Sequence, residues 1–131
     1  RDLVRSRGLG DVYKRQNRGG ASLAVEIFGS DPHGNCDKGK GGIVFCDGIK
    51  RSFSPGEIII LKPAQSITLL PRDWHAFWGH DGDVLVGEVS TVNDDSEDNI
   101  FRDKVSRFSD IDEDTAPIHL LVSDYEKWLN A

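Results

Sequence analysis

Short apolar runs, each stopped by a Gly, Pro or Asp turn signal, recur about every ten residues along most of this chain. None sustains the 3.6-residue period of a long amphipathic helix, so the runs read as β-strands. Leu23, Val25 and Ile27 alternate along one face of a strand over Ala21–Phe28. Gly29–Gly41 reads as a loop, and Gly42–Cys46 and Ile49–Phe53 flank Asp47-Gly48, the preferred dipeptide of a type I′ hairpin. Further strands are expected over Glu57–Leu61, Gln65–Leu70, Trp74–Trp78 and Val84–Ser90. Some seven short strands without a long helix between them imply an antiparallel sandwich or small barrel. From Thr91 the chain turns acidic and irregular, with one more strand expected over Ile118–Val122. Ser123 can cap a short C-terminal helix running to Leu129.

The first sixteen residues differ in character from the rest. Arg1–Gln16 holds five of the 16 basic residues against two acids, leaving 11 basic and 20 acidic residues and a net charge of −9 beyond it. Ser6–Gln16, SRGLGDVYKRQ, is the translation of a transposon end used in sequencing-library adapters. Residues 1–16 are therefore expected to be a non-native, adapter-derived segment that packs poorly, and residues 17–131 a partial domain.

A chain of 131 residues with 37% hydrophobic and 29% charged residues is enough for one globular core. The formal net charge of −6 argues against nucleic acid, whose phosphates it would repel. No apolar run reaches the roughly 18 residues of a membrane span, and no signal-peptide pattern opens the chain. Two cysteines, Cys36 and Cys46, do not make a disulfide framework and fit idle thiols in a reducing, cytoplasmic setting.

Imidazole is the usual ligand and proton carrier near neutral pH, so the four histidines come first. His33 lies in a Gly-rich loop and His80 in a turn, both expected in solvent; His119 falls in the late strand, in a structural place. His75 sits within a strand, between Trp74 and Phe77-Trp78. A hairpin centred on Asp81-Gly82 would set Glu88 directly opposite His75, on the face that Val84 and Val86 share. A carboxylate ending an apolar inner row needs a partner or a metal. The same residues also fit a surface hairpin with an incidental pair, since a one-residue slip reverses every side chain.

Thr91–Asn99 is acidic, and such runs are commonly solvated loops. Alternatively, Asn93, Asp94, Asp98 and Asn99 could present hydrogen-bonding groups to the several hydroxyls of a sugar. No phosphate loop, nucleophile elbow or paired-Cys zinc motif is present.

Ser54-Pro-Gly-Glu57, Ile67-Thr-Leu-Leu-Pro71 and then His75 follow the rhythm of the second cupin motif, with Pro71-x-x-x-His75 one residue shorter than the usual spacing and without its glycine. A longer pattern is more specific: Leu70-Pro71, Trp74-His75-x-Phe77-Trp78-Gly79, Val84-Leu-Val-Gly-Glu-Val-Ser-Thr-Val-Asn-Asp-Asp95, Asp98-Asn99 and Arg107-Phe108. From Asn17 to about Tyr125 the chain resembles the cupin-type D-lyxose ketol-isomerases.

That resemblance implies a mainly β, antiparallel cupin (jelly-roll) barrel, incomplete at its N-terminal side, with a short C-terminal helix. It implies an enzyme interconverting D-lyxose and D-xylulose, often D-mannose and D-fructose as well, through an enediolate assisted by Mn²⁺ or a similar divalent ion. The partner is then a small aldose or ketose, with no nucleic acid and no membrane, and the complete enzyme a homodimer. By motif His75 is one metal ligand; Glu88 is the candidate catalytic carboxylate, with a residue upstream of the break as the alternative base, and Asp94, Asp98 and Asn99 are candidates for substrate hydroxyls. A His-x-His pair and a Glu should precede the first motif's closing glycine, matched by Gly19 or Gly20, which places the Glu at Val12 or Tyr13. Those ligands are absent, and the 131-residue chain is expected to be inactive. A non-catalytic cupin module that binds or senses sugar is the alternative, separable by whether the intact upstream sequence carries those ligands.

Overall fold

The computed structural model describes residues 6–8, 12–91, 99–102, 114–116, 118–120 and 125–129. Its strands are β1 (Ser6–Gly8), β2 (Tyr13–Gly20), β3 (Leu23–Ser30), β4 (Cys36–Asp37), β5 (Gly42–Cys46), β6 (Ile49–Phe53), β7 (Glu57–Leu61), β8 (Ser66–Leu69), β9 (Trp74–Gly79), β10 (Val84–Ser90) and β11 (Asn99–Phe101). One short helix, α1 (Tyr125–Trp128), follows. Every strand pairing is antiparallel, and the fold is mainly β, as expected. Two open sheets form, consistent with a partial cupin-like fold. One runs β11-β1-β9-β3-β4 with β7 also on β3, and the other runs β10-β2-β8-β5-β6.

The core lies between the sheets. Leu23, Val25, Ile27, Ile59 and Leu61 from the first meet Tyr13, Val44, Phe53, Ile67 and Leu69 from the second. β3 is the central strand, paired with β9 on Leu23–Phe28 and with β7 on Leu23–Ile27, and Glu26 is its one residue that is not buried. Apart from Glu26, its apolar residues suit a strand covered on both faces.

Asp47-Gly48 turns as its sequence implies, with φ of 50° and 81°, and joins β5 to β6 in register from Gly42↔Phe53 to Cys46↔Ile49. Asp81-Gly82 does not. A type I′ turn needs positive φ at both central residues, and Asp47, Ala64 and Arg72 are the non-glycine residues with positive φ among those described. The 80–83 link instead carries the chain from one sheet to the other, held by His80 N–H to the Ser22 carbonyl and Ala21 N–H to the Asp83 carbonyl, each 2.8 Å. β9 pairs with β3 and β1, while β10 pairs with β2 over Val84↔Gly20 to Ser90↔Tyr13. The expected β9–β10 hairpin, with Glu88 as the cross-strand neighbour of His75, is thereby corrected.

The N-terminal segment also departs from expectation, because part of it is built into both sheets. Ser6–Gly8 bridges β11 and β9, and Tyr13–Gln16 continues without a break into Asn17–Gly20. Tyr13, Arg15 and Asn17 alternate onto the inner face, and Tyr13 is buried. Near the other end, Ile118–Leu120 are not in a strand, and Leu121 and Val122 lie outside the described residues. His119 is exposed, not set in a structural place; α1 falls within the expected helix, whose cap Ser123 is also outside the described residues. No disulfide joins Cys36 and Cys46. No helix of the described residues is long and apolar enough to cross a membrane.

Candidate functional site

His75 is set on the inner wall by two neighbours in its sheet, Ile27 of β3 and Ser6 of β1. It is 3% exposed. Nδ1 lies 3.3 Å from the Asp73 carbonyl oxygen, so Nδ1 carries the proton and donates it, leaving the Nε2 lone pair toward the interior. Burial, reinforced by the nearby Arg15 charge, lowers the His75 pKa to about 4, so the ring is neutral at neutral pH.

Arg15 faces it from the opposite sheet. Its Nη2 is 3.4 Å from His75 Nε2, and its guanidinium carbon lies 4.2 Å from the centroid of the Phe77 ring. Nη1 donates to Glu88 Oε2 in an ion pair that follows from register, since Arg15 and Glu88 are directly opposite on β2 and β10. The Arg15 side chain is 12% exposed and that of Glu88 41%, so the carboxylate sits at the rim and the guanidinium reaches inward. Desolvation pulls the Arg15 pKa down and the Glu88 charge pulls it back up, and an arginine so placed keeps its charge. Its Nε is buried with no hydrogen-bond partner.

His75 and Glu88 thus belong to one cluster, joined through Arg15 and not through a shared ladder. Asp94 and Asp98 lie outside the described residues, and Asn99 stands opposite Gly8 in β11. His33 and His80 are exposed, as expected for a loop and a turn. Surface cavities lined by Asn35, Cys36 and Trp74, and by Ser30, Lys40 and Asp73, do not include the cluster.

Arg15 and Asn17 were missed in the sequence, although the Tyr13/Arg15/Asn17 alternation was there to be read. Asn17 is fully buried and saturated: Nδ2 donates to the carbonyls of Ala21 (2.8 Å) and Leu61 (3.0 Å), and Oδ1 accepts from Gly19 N–H (3.0 Å). It ties β2 to β7 beside the site. Gly20, at φ 88°, completes the turn after it, and a Cβ there would land on the Asp83 carbonyl oxygen.

Residues 12–125 match the family model described as D-lyxose isomerase. The chain belongs to the D-lyxose isomerase family. It is 44% identical over 115 residues to a D-lyxose/D-mannose isomerase of Serratia proteamaculans, and 39% identical over 114 residues to one of Escherichia coli O157:H7. In both, 86% of this chain and 50% of the relative are covered, so this D-lyxose isomerase family chain spans about half the length of those curated relatives.

The divalent ion that family membership implies does not fit the described residues. They hold no group of three or more His, Cys, Asp and Glu side chains able to bind a metal. The one imidazole aimed inward meets a guanidinium, and a fixed positive charge there opposes a second cation.

Proposed function

We propose that the protein to which this chain belongs is an aldose–ketose isomerase interconverting D-lyxose and D-xylulose, and D-mannose and D-fructose, by moving a proton between C1 and C2 through an enediolate. The match over residues 12–125, with two curated relatives named D-lyxose/D-mannose isomerase, carries this reading. The chain's own residues suit part of the task. The Asp73 carbonyl fixes the His75 ring and its tautomer, and Glu88 offers a carboxylate at the rim of the facing sheet, where a sugar can arrive.

A divalent ion such as Mn²⁺ belongs to this proposal for the complete protein, with His75 as this chain's ligand and the others supplied from the half of the relatives' length that the chain does not span. Residues 1–16 are adapter-derived in the same reading, and the complete protein is cytoplasmic, in keeping with unbridged Cys36 and Cys46. The 131-residue chain is then inactive by itself, because one imidazole does not hold a hard divalent ion.

The test compares this chain with a version carrying the native upstream sequence in place of residues 1–16, both assayed for lyxose–xylulose conversion with added Mn²⁺. Turnover by the longer protein alone is expected. Equal turnover by the short chain would overturn the assignment of the missing ligands, and none by either would overturn the isomerase reading.

A further inference from the structure

We infer that Arg15 is an internal cation that occupies the Nε2 side of His75, braced by Glu88, and closes that imidazole to divalent ions. A divalent ion bound there would draw on the His75 Nε2 lone pair. Arg15 already engages that nitrogen, with Nη2 3.4 Å from His75 Nε2, while Nη1 pairs with Glu88 Oε2. Phe77 packs against the guanidinium at 4.2 Å and lies nearly parallel to the His75 ring, at 17° with centroids 6.4 Å apart, so the cation is held between an aromatic face, the imidazole and the Glu88 carboxylate.

The fit is imperfect in an informative way. Arg15 Nε is buried without a partner, which is unusual for a guanidinium settled in a built ion-pair site. The pocket satisfies the end of the side chain that a metal would replace and leaves its stem unsatisfied. Arg15 also lies in the stretch read as adapter-derived. The inference rests on the isomerase reading only for what the wall was shaped to hold.

The experiment is a Co²⁺ titration of the ¹⁵N-histidine-labelled chain, followed through the ring resonances. Co²⁺ binds imidazole more tightly than Mn²⁺, and its unpaired electrons shift and broaden a bound ring. Exposed His33, His80 and His119 report non-specific binding within each sample. In the wild type and in Arg15→Lys, which keeps the cation, the His75 resonances should respond no earlier than those controls. In Arg15→Ala and Arg15→Gln the His75 response should move to a Co²⁺ concentration at least about ten-fold lower, with amide spectra confirming that the strands remain paired. Two uncharged replacements guard against one failing to fold. Early response of His75 in the wild type, or no early response in either uncharged variant, would overturn the inference. No turnover is measured, so failure of the isomerase reading would register separately in the activity comparison.

Discussion

Arg15 Nη2 lies 3.4 Å from His75 Nε2, across the gap between two sheets that share no strand. The same guanidinium pairs with Glu88, yet it leaves Nε buried and unsatisfied. A buried donor without a partner costs about 1–3 kcal/mol, whereas the Glu88 side chain, at 41% exposure, can return to water if released.

Replacing the two partners should therefore have unequal effects. Arg15→Leu removes the unsatisfied donor and fills apolar space, so stability should change by less than about 1 kcal/mol or rise. Glu88→Ala leaves a largely buried guanidinium unpaired and should cost about 2–4 kcal/mol. Urea denaturation of the two variants distinguishes these outcomes, and equal losses would mean that the Arg15–Glu88 pair does not govern local stability.

Two glycines with nearly the same backbone angle should respond differently to alanine. Gly48, at φ 81°, has open space around a built Cβ, whereas at Gly20, φ 88°, the Cβ would strike the Asp83 carbonyl. Gly48→Ala should cost about 1–2 kcal/mol, the left-handed strain alone. Gly20→Ala should cost more, about 3 kcal/mol or above, because the 80–83 link between the sheets must shift with it. Similar melting temperatures for the two variants would contradict the close approach.

Asn17 gives a third case. Its amide nitrogen donates to two carbonyls, the part-buried one of Ala21 between β2 and β3 and the buried one of Leu61 in β7. Asn17→Asp keeps the shape but removes both donors and sets a carboxylate against carbonyl oxygens. A loss of about 3 kcal/mol or more is expected, larger than for Asn17→Ala at the same pH, read by thermal unfolding.

The strand pattern was legible because local signals set it. β5, β6, β7 and β10 have the bounds that alternation and turn residues gave, and Asp47-Gly48 closes the hairpin that its dipeptide specifies. Pairing was legible only where a turn dictates it. Asp81-Gly82 offers the same dipeptide, but β3, buried at all but Glu26, and β2 provided better partners for β9 and β10. Sheet membership is a long-range outcome that no local window records. His75 was recognisable as an inward imidazole. Its link to Glu88 was not, because it runs through Arg15, in a segment whose composition had set it apart.

The pH dependence of stability should expose two groups, buried His75 and half-buried Asp73, that oppose each other. Burial, with Arg15 assisting, lowers the His75 pKa from 6.5 to about 4, so folding favours the neutral ring. That contribution is complete above pH 6.5 and is lost as the pH falls toward about 4, where the unfolded chain binds a proton that the folded one refuses. Asp73 has the opposite sign. Burial raises its pKa from 3.8 to about 6, against the Leu70 N–H that donates to its carboxylate, so its contribution is present at low pH and lost as the pH rises through about 6. Between about pH 4 and 6 the two slopes oppose, and the stability of the chain should vary little from this pair. Asp73→Asn keeps an oxygen to accept from Leu70 N–H and removes the titration. The variant should therefore gain stability from pH 4 to 6.5, by up to about 3 kcal/mol at roughly 1.4 kcal/mol per unit of pKa difference. His75→Gln should show the reverse slope, losing stability as the pH rises through about 6. Chemical denaturation at pH 4.5, 5.5 and 6.5 reads both variants, and a flat profile for Asp73→Asn would mean that His75 is not held neutral by the fold.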